Sequence, residues 1–199
     1  MAHPVAASIQ AVCVYCGSRA GVRPEYAAAA TALGVEIGKA GLTLVYGAGS
    51  VGLMGITARA AIKAGSPVIG IIPEHLNDIE ITQDGLSETH VTANMHDRKR
   101  MMFEKSDAFI IMPGGLGTLD ETFEIMTWAQ LSLHKKPIIL VNINGYWDPF
   151  ITLLETITRE GFAGPEHINL ITVVTTVEDA VSRLCAAQPQ AFTPRPDLF

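Results

Sequence analysis

Three glycine-rich segments contain the residues of this chain that are best suited to bind a phosphate. They read Cys16-Gly17-Ser18-Arg19, Gly47-Ala48-Gly49-Ser50-Val51-Gly52 and Pro113-Gly114-Gly115-Leu116-Gly117-Thr118, and each follows an apolar run typical of a strand. Glycine lets the backbone approach an anion closely and adopt positive φ. In a parallel sheet such loops lie at one edge, beside the N-termini of helices. We therefore predict one shared anion pocket, with Gly17, Ser18, Gly47 and Gly49 among its binding residues.

Two helical patterns carry charged residues that could act on a ligand held in this pocket. Glu121 stands three residues after Thr118, the spacing of a capping box, in which it would only complete a helix start. The same helix begins at the third glycine loop, so the Glu121 carboxylate could instead stabilise a sugar cation or position water. Arg98 lies in helical register with Met95 and Met102 and could hold a phosphate or a carboxylate with both arms of its guanidinium.

The second glycine loop also permits a different interpretation. Gly47, Gly49 and Gly52 satisfy the G-x-G-x-x-G pattern of dinucleotide-binding folds, and Glu74 follows the next strand where a ribose-binding acid would stand. This pattern normally follows the first strand of its unit, whereas here it follows the second. A tight turn between strand and helix explains the same glycines.

Cysteine and histidine provide little support for redox or metal chemistry. Cys13 and Cys16 form a C-x-x-C, but Cys13 lies within an apolar run, whereas a redox pair normally opens a helix. Neither His96 nor His134 has a partner at helical spacing, so no zinc or iron ligand set is visible.

Composition narrows the class of protein. The 199 residues are 48% hydrophobic and 17% charged, which predicts a single globular domain over residues 1–199 with an extended tail from about residue 189. The net charge of −6 argues against a nucleic acid partner. The chain has no apolar run of about 18 residues and no leader pattern, so we expect a cytoplasmic protein that does not interact with membranes.

Apolar runs and helical patterns alternate along the chain, which predicts an α/β protein with a three-layer Rossmann-like fold, its central parallel sheet covered by helices on both faces. Residues 73–92 form the one long irregular stretch, typical of a lid or binding loop. The predicted strands are 9–15, 42–46, 68–72, 108–112, 138–142 and 171–174. The predicted helices are 24–39, 53–64, 95–105, 118–133, 149–159 and 177–187.

Four segments, in order along residues 12 to 147, resemble the LOG (Lonely Guy) family. They are Tyr46-Gly47-Ala48-Gly49-Ser50-Val51-Gly52-Leu53-Met54-Gly55, Met95-His96-Asp97-Arg98-Lys99, Pro113-Gly114-Gly115-Leu116-Gly117-Thr118-Leu119-Asp120-Glu121 and Thr127-Trp128-Ala129-Gln130-Leu131. The resemblance implies hydrolysis of the N-glycosidic bond of N6-substituted adenosine 5′-monophosphates (cytokinin riboside monophosphates), or of AMP itself, to free base and ribose 5-phosphate. It also implies a homodimer and no cofactor.

The resemblance assigns roles to individual residues. Arg98 and Glu121 match the catalytic pair of the family, and Arg98 could contact the phosphate or hold Glu121 ionised. The stretch matching the nucleotide-binding residues comprises Lys99, Gly114, Gly115, Leu116, Gly117, Thr118, Leu119 and Asp120, and Glu80 and Thr127 match further substrate contacts. Where the family commonly has three glycines, this chain has Ala48 in the middle, which is tolerated if Ala48 keeps a negative φ.

Two other functions are compatible with the same motifs. A non-catalytic carrier of a nucleotide or of molybdenum cofactor could use the same glycine loops, although it would not require both Arg98 and Glu121. A lysine decarboxylase, the older label of the family, would need pyridoxal phosphate on a lysine, and no lysine here lies in a recognisable cofactor motif.

Overall fold

A computed structural model describes residues 9–77 and 83–187. Its elements alternate between strand and helix as the sequence predicts, and each of the six predicted strands and six predicted helices is present with its ends shifted by at most three residues. The elements are β1 (Ala11–Tyr15), α1 (Pro24–Lys39), β2 (Thr43–Tyr46), α2 (Gly52–Lys63), β3 (Val68–Pro73), α3 (Glu74–Asn77), β4 (Glu88–Thr92), α4 (Met95–Glu104), β5 (Ala108–Ile111), α5 (Leu116–Gln130), β6 (Ile138–Val141), α6 (Asp148–Arg159), β7 (Thr172–Val174) and α7 (Val177–Ala186). Short 3₁₀ turns occupy Ile143–Gly145 and Pro165–Leu170.

The seven strands form one parallel sheet in the order β4-β3-β2-β1-β5-β6-β7. The chain winds outward in one direction from β1 to β4 and in the other from β5 to β7. The strand order therefore reverses between β1 and β5, where Tyr15 pairs with Ile111 at the strand ends. Ligands of open α/β sheets bind in the crevice beyond the carboxyl ends of the strands at such a reversal.

Helices cover both faces of the sheet and make two hydrophobic cores. Along β1, Val12 and Val14 point into a core shared with α1, α2 and α7, whereas Cys13 and Tyr15 point into a second core shared with α4, α5 and α6. Successive strand residues face opposite sides, so strands buried on both faces must be apolar throughout. The predicted three-layer Rossmann-like fold is confirmed.

Two elements were not predicted, and both fall in the stretch that the sequence leaves irregular. β4 reads Glu-Thr-His-Val-Thr and pairs in parallel with β3 at the edge of the sheet, where most of its side chains are exposed. An edge strand needs no continuous apolar run, so hydrophobic patterning does not reveal it. The single-turn helix α3 is too short to show a period.

Three sequence-based expectations concern residues outside the described ranges: the substrate contact at Glu80, the central part of the irregular stretch and the tail from about residue 189. Within the described ranges, no helix is both long enough and apolar enough to cross a membrane.

Candidate functional site

A cavity of about 490 Å³ lies at the reversal point of the sheet. The loops after β1 and β5 form its floor, and they are joined where the Gly17 N–H donates to the Pro113 carbonyl at 3.0 Å. Its lining consists of Gly17, Ser18, Arg19, Ala20, Gly21, Tyr26, Leu53, Pro113, Gly114, Gly115, Leu116 and Tyr146. The structure thus brings together five of the predicted binding residues: Gly17, Ser18, Gly114, Gly115 and Leu116.

The N-terminus of α5 is open toward this cavity. Gly115 caps the helix without a side-chain hydrogen bond, and within the described ranges the N–H groups of Leu116, Gly117 and Thr118 have no protein acceptor. A Cβ placed on Gly115 or Gly117 would meet no atom within 4 Å, so there is room for a ligand at both positions. Free N–H groups and the positive end of the helix dipole together attract an anion.

The capping-box interpretation of Thr118 and Glu121 is wrong. The helix begins at Leu116, two residues earlier than predicted, so Thr118 is a helical residue rather than a cap. The Thr118 carbonyl accepts the Thr122 hydroxyl at 2.6 Å, and the Thr118 side chain packs so closely on Gly114 that a Cβ there would overlap it. Glu121 therefore has no role in starting the helix.

The second glycine loop packs against the first, and its glycines do not line this cavity. The N-terminus of α2, which this loop feeds, is already satisfied, because Leu53 N and Met54 N donate to the Gly17 carbonyl at 3.0 and 3.4 Å. Gly47 and Gly49 are buried and are not part of the cavity lining. The contribution of Gly47 and Gly49 to one shared anion pocket therefore stays a prediction, and the G-x-G-x-x-G match forms a tight turn between β2 and α2.

Ala48, in the middle of this loop, also departs from expectation. Its φ is +64°, in the left-handed region, whereas the sequence argument required a negative value. The residue is fully buried, and its carbonyl accepts the Gln83 N–H at 3.0 Å. A non-glycine residue in this conformation costs roughly 1–2 kcal/mol. The turn is therefore maintained by its surroundings despite the strain.

Arg98 on α4 ties the second glycine loop to the sheet. Its Nε donates to the Ile71 carbonyl at 3.1 Å and its Nη2 to the Gly47 carbonyl at 3.2 Å, and the side chain is buried. A Cβ on Gly47 would overlap the guanidinium, which explains why a glycine is needed there. No direct hydrogen bond joins Arg98 to a carboxylate in the part of the chain that the structure describes.

Glu121 lies one turn into α5 with its carboxyl group largely removed from water. Burial raises the pKa of Glu121 from 4.5 to about 7, against the opposing charge of Arg98 and with a further increase from Asp120. The carboxyl is thus close to half ionised at neutral pH. A general base works best when its pKa lies near the operating pH.

Lys99 reaches from α4 to α5. Its Nζ lies 2.9 Å from Glu124 Oε1 and 3.2 Å from Asp120 Oδ2. Burial alone would lower the pKa of Lys99, but the hydrogen bonds from Glu124 and Asp120 outweigh it and raise the pKa. Sequence reasoning missed Glu124, although its i,i+4 spacing from Asp120 places both on one face of the helix.

The other residues of α5 that the sequence predicts to bind substrate do not lie together. Leu119 packs against the second core, and Thr127 is exposed more than two turns from the open end of the helix. Leu116 is largely exposed.

Two tyrosines that sequence reasoning missed form the aromatic wall of the cavity. The Tyr146 hydroxyl donates to the Gly114 carbonyl, and its ring lies edge-on to Tyr26 with 5.5 Å between centroids. Tyr146 follows β6 at the same edge of the sheet, and this position is the only signal that could have identified it.

The cysteine pair has no redox arrangement. Cys13 and Cys16 are free and buried, and they face opposite cores. Burial raises the pKa of both thiols well above the ordinary range, so neither is a reactive thiolate at neutral pH. Among the described residues, no group of three potential metal ligands comes together.

Comparison with known proteins places these features in a family. A family model described as "possible lysine decarboxylase" matches residues 54–184. The chain is 43% identical over 173 residues to the cytokinin riboside 5′-monophosphate phosphoribohydrolase LOG of Oryza sativa subsp. japonica, covering 87% of this chain and 72% of that protein. It is 42% identical over 173 residues to the phosphoribohydrolase LOG1 of Arabidopsis thaliana, covering 87% and 81%.

A solved structure shares the fold at much lower identity. The molybdenum cofactor carrier protein of Chlamydomonas reinhardtii superposes with a TM-score of 0.68 at 22% identity, over 89% of this chain and 99% of that one. Identity at this level shows a common architecture only. The sequence matches go further, because they cover most of both chains at about twice that identity, and on them the chain belongs to the family of the LOG phosphoribohydrolases, to which the description "possible lysine decarboxylase" is also attached.

Proposed function

We propose that this protein hydrolyses the N-glycosidic bond of N6-substituted adenosine 5′-monophosphates, and of AMP, to free base and ribose 5-phosphate. The observation that carries the proposal is the position of Glu121, a partly buried carboxyl one turn behind an open helix N-terminus that can hold a phosphate, although Glu121 is not itself part of the cavity lining. Relatives that are 42–43% identical are cytokinin riboside 5′-monophosphate phosphoribohydrolases, which supports the same reaction.

The phosphate is proposed to bind at the N-terminus of α5. The free N–H groups of Leu116, Gly117 and Thr118 would donate to its oxygens, and Ser18 lines the same cavity. Binding energy gained at the phosphate, away from the bond that breaks, would fix the ribose relative to Glu121. A nucleoside without a phosphate should therefore be a poor substrate.

The reaction then needs a group that stabilises a sugar cation. As the C1′–N9 bond breaks, its electron pair leaves with the purine and positive charge develops on the ribose. The ionised Glu121 carboxylate would stabilise that charge and accept a proton from the water whose oxygen bonds to C1′. The departing purine takes up a proton on one of its nitrogens.

Arg98 is proposed to act on Glu121 through its charge. Its hydrogen bonds go to the carbonyls of Gly47 and Ile71, so the guanidinium is held in place by backbone. From there its charge lowers the pKa of Glu121 and opposes the effect of burial. Of the two roles that the sequence leaves open, holding Glu121 partly ionised fits these contacts better than binding the phosphate.

The lysines do not fit the pyridoxal phosphate that a decarboxylase would require. A Schiff base forms from a neutral amine. Lys99 is held as an ammonium between Glu124 and Asp120. Burial lowers the pKa of Lys136 to about 8, but its amine is engaged, because it donates to the Phe103 carbonyl at 2.6 Å and lies 3.7 Å above the Phe103 ring.

The homodimer and the cytoplasmic location remain predictions. Exposed apolar side chains at the two ends of α5, Leu116 at its start and the C-cap residue Leu131, are compatible with a subunit contact. Analytical ultracentrifugation of the purified chain would test the first prediction, and cell fractionation the second.

Incubation of the purified protein with N6-isopentenyladenosine 5′-monophosphate, AMP and adenosine tests the proposal. Chromatography should detect free base from the two monophosphates and little from adenosine. The matched Glu121→Gln protein should still bind AMP but release base at least 100-fold more slowly. If the wild-type protein bound the monophosphates and released no base from either, the hydrolase assignment would fail and a carrier function would remain.

A further inference from the structure

An ion bridge between α4 and α5 flanks the proposed catalytic carboxylate. Lys99 on α4 contacts Asp120 and Glu124 on α5, and Glu121 lies between these two in sequence. The residue before Lys99 is Arg98. The bridge therefore joins the helix that carries Arg98 to the turn that carries Glu121.

The two halves of the bridge differ in exposure. The side chains of Lys99 and Glu124 are 10% and 23% exposed, whereas that of Asp120 is 61% exposed. Water and salt screen an exposed pair strongly, and such pairs contribute little. The Lys99–Glu124 contact is also the shorter of the two. Glu124 is therefore the main anchor of the Lys99 ammonium.

Loss of this anchor would change the surroundings of Glu121. A mostly buried ammonium that loses its main carboxylate seeks another partner, because an unpaired buried charge is costly. Glu121 is a neighbouring carboxylate on the same helix, and the charge of Lys99 already acts on it. A direct pair with Lys99 would pull Glu121 away from its position beside the open end of α5.

We propose that Glu124 is a positioning residue of the hydrolytic site: by pairing with Lys99 it keeps the ammonium off Glu121 and holds α4 and α5 in the arrangement that sets Arg98 opposite Glu121. This inference rests on the proposed function for its kinetic consequences. Its structural consequence, that Glu121 does not pair with Lys99, is independent of the proposed function.

The ionisation of Glu121 reports on this arrangement. The groups that act on it are Arg98 and Lys99 from α4, Asp120 and Glu124 from α5, and the neutral side chains of Cys13, Tyr15 and Cys16 at β1. Neutralising Glu124 removes one negative charge and releases one positive charge toward Glu121. Both changes favour the carboxylate, so the pKa of Glu121 should fall.

The test compares Glu124→Gln with Asp120→Asn, which removes the exposed half of the bridge. Glu124→Gln should lower kcat for N6-isopentenyladenosine 5′-monophosphate about tenfold, because a small displacement of a catalytic group is costly, with a lesser effect on KM. The acid limb of its kcat–pH profile should move to lower pH. Asp120→Asn should lower kcat less, although it also removes a negative charge that raises the pKa of Glu121 and should therefore move the acid limb in the same direction.

A second measurement is independent of turnover. Carboxyl ¹³C resonances of labelled glutamate, with Glu121 assigned by its loss in Glu121→Gln, should titrate at lower pH in Glu124→Gln than in the wild-type protein. If wild-type protein releases no base, the proposed function fails while this titration still decides the inference. An unchanged Glu121 titration in Glu124→Gln, or equal losses of kcat in Glu124→Gln and Asp120→Asn, would overturn it.

Should Glu124→Gln fail to fold, Glu124→Asp replaces it, because it retains the charge and shortens the reach to Lys99. We expect a kcat lowered by about threefold or more. A wild-type kcat and an unmoved Glu121 titration in Glu124→Asp would also overturn the inference.

Discussion

Glu121 should reduce the stability of the protein at the pH where it works. Burial raises its pKa from 4.5 to about 7, so the folded state binds the proton more tightly than the unfolded chain does. The free energy of unfolding must then fall as pH rises from about 4.5 to about 7 and remain lowered above that. The contribution is present in acid and is lost toward neutral pH.

The size of this loss follows from the two pKa values. At about 1.4 kcal/mol for each pKa unit, a rise from 4.5 to about 7 corresponds to roughly 3 kcal/mol once Glu121 is fully ionised in both states. For a chain of this size, that is a Tm difference of roughly 6–12 °C. Glu121→Gln carries no charge and should escape the loss.

The assay is thermal or urea unfolding of the wild-type protein and Glu121→Gln between pH 5 and pH 8.5. The two should have similar stability near pH 5, where Glu121 is neutral when folded, and Glu121→Gln should be the more stable at pH 8.5. Glu178→Gln, which changes an exposed carboxylate on α7, is the matched control. Parallel pH profiles for wild type and Glu121→Gln would refute the view that Glu121 is a partly buried acid with a raised pKa.

Three further predictions concern catalysis and the glycine loops. The kcat/KM of the wild-type enzyme should rise with pH through an apparent pKa near 7, as Glu121 ionises; a profile flat from pH 5.5 to 8.5 would contradict this. Gly117→Ala should keep or raise Tm, because its Cβ enters open space and alanine favours helix by about 1 kcal/mol, yet raise KM for AMP by about tenfold or more by obstructing the phosphate. Gly114→Ala should instead lower Tm, because its Cβ would overlap Thr118; equal Tm values would contradict the packing argument. Ala48→Gly should change unfolding free energy by less than about 1 kcal/mol, because relief of the left-handed strain is offset by the lost methyl burial and greater chain entropy. Ala48→Val should cost more than about 2 kcal/mol, since a branched residue cannot take this φ without strain, and urea titration measures both.

The sequence predicts the layers of this fold because buried parallel strands must be apolar throughout and helices must be periodic. It does not predict β4, because the strand is polar and exposed at the edge of the sheet. The sequence also predicts the first residue of a helix only imprecisely. The predicted start of α5 is two residues too late, which makes Thr118 a cap residue and gives Glu121 a purely structural role in a capping box. The structure does not support that role.

The site was predictable only where backbone chemistry defines it. The glycine spacing indicates the loops after β1 and β5, but it does not show that the Gly17 carbonyl already occupies the N-terminus of α2. Nor could it reveal the left-handed Ala48. The Lys99–Glu124 contact depends on how α4 packs beside α5, which no local pattern encodes.

The central claim is that Glu121, beside a phosphate held at α5, hydrolyses the base–ribose bond. The most direct measurement follows free base and ribose 5-phosphate together during incubation of the wild-type protein and Glu121→Gln with N6-isopentenyladenosine 5′-monophosphate. The account predicts equal amounts of the two products from the wild-type protein and at least a 100-fold slower reaction from Glu121→Gln. Turnover by Glu121→Gln at the wild-type rate would contradict it.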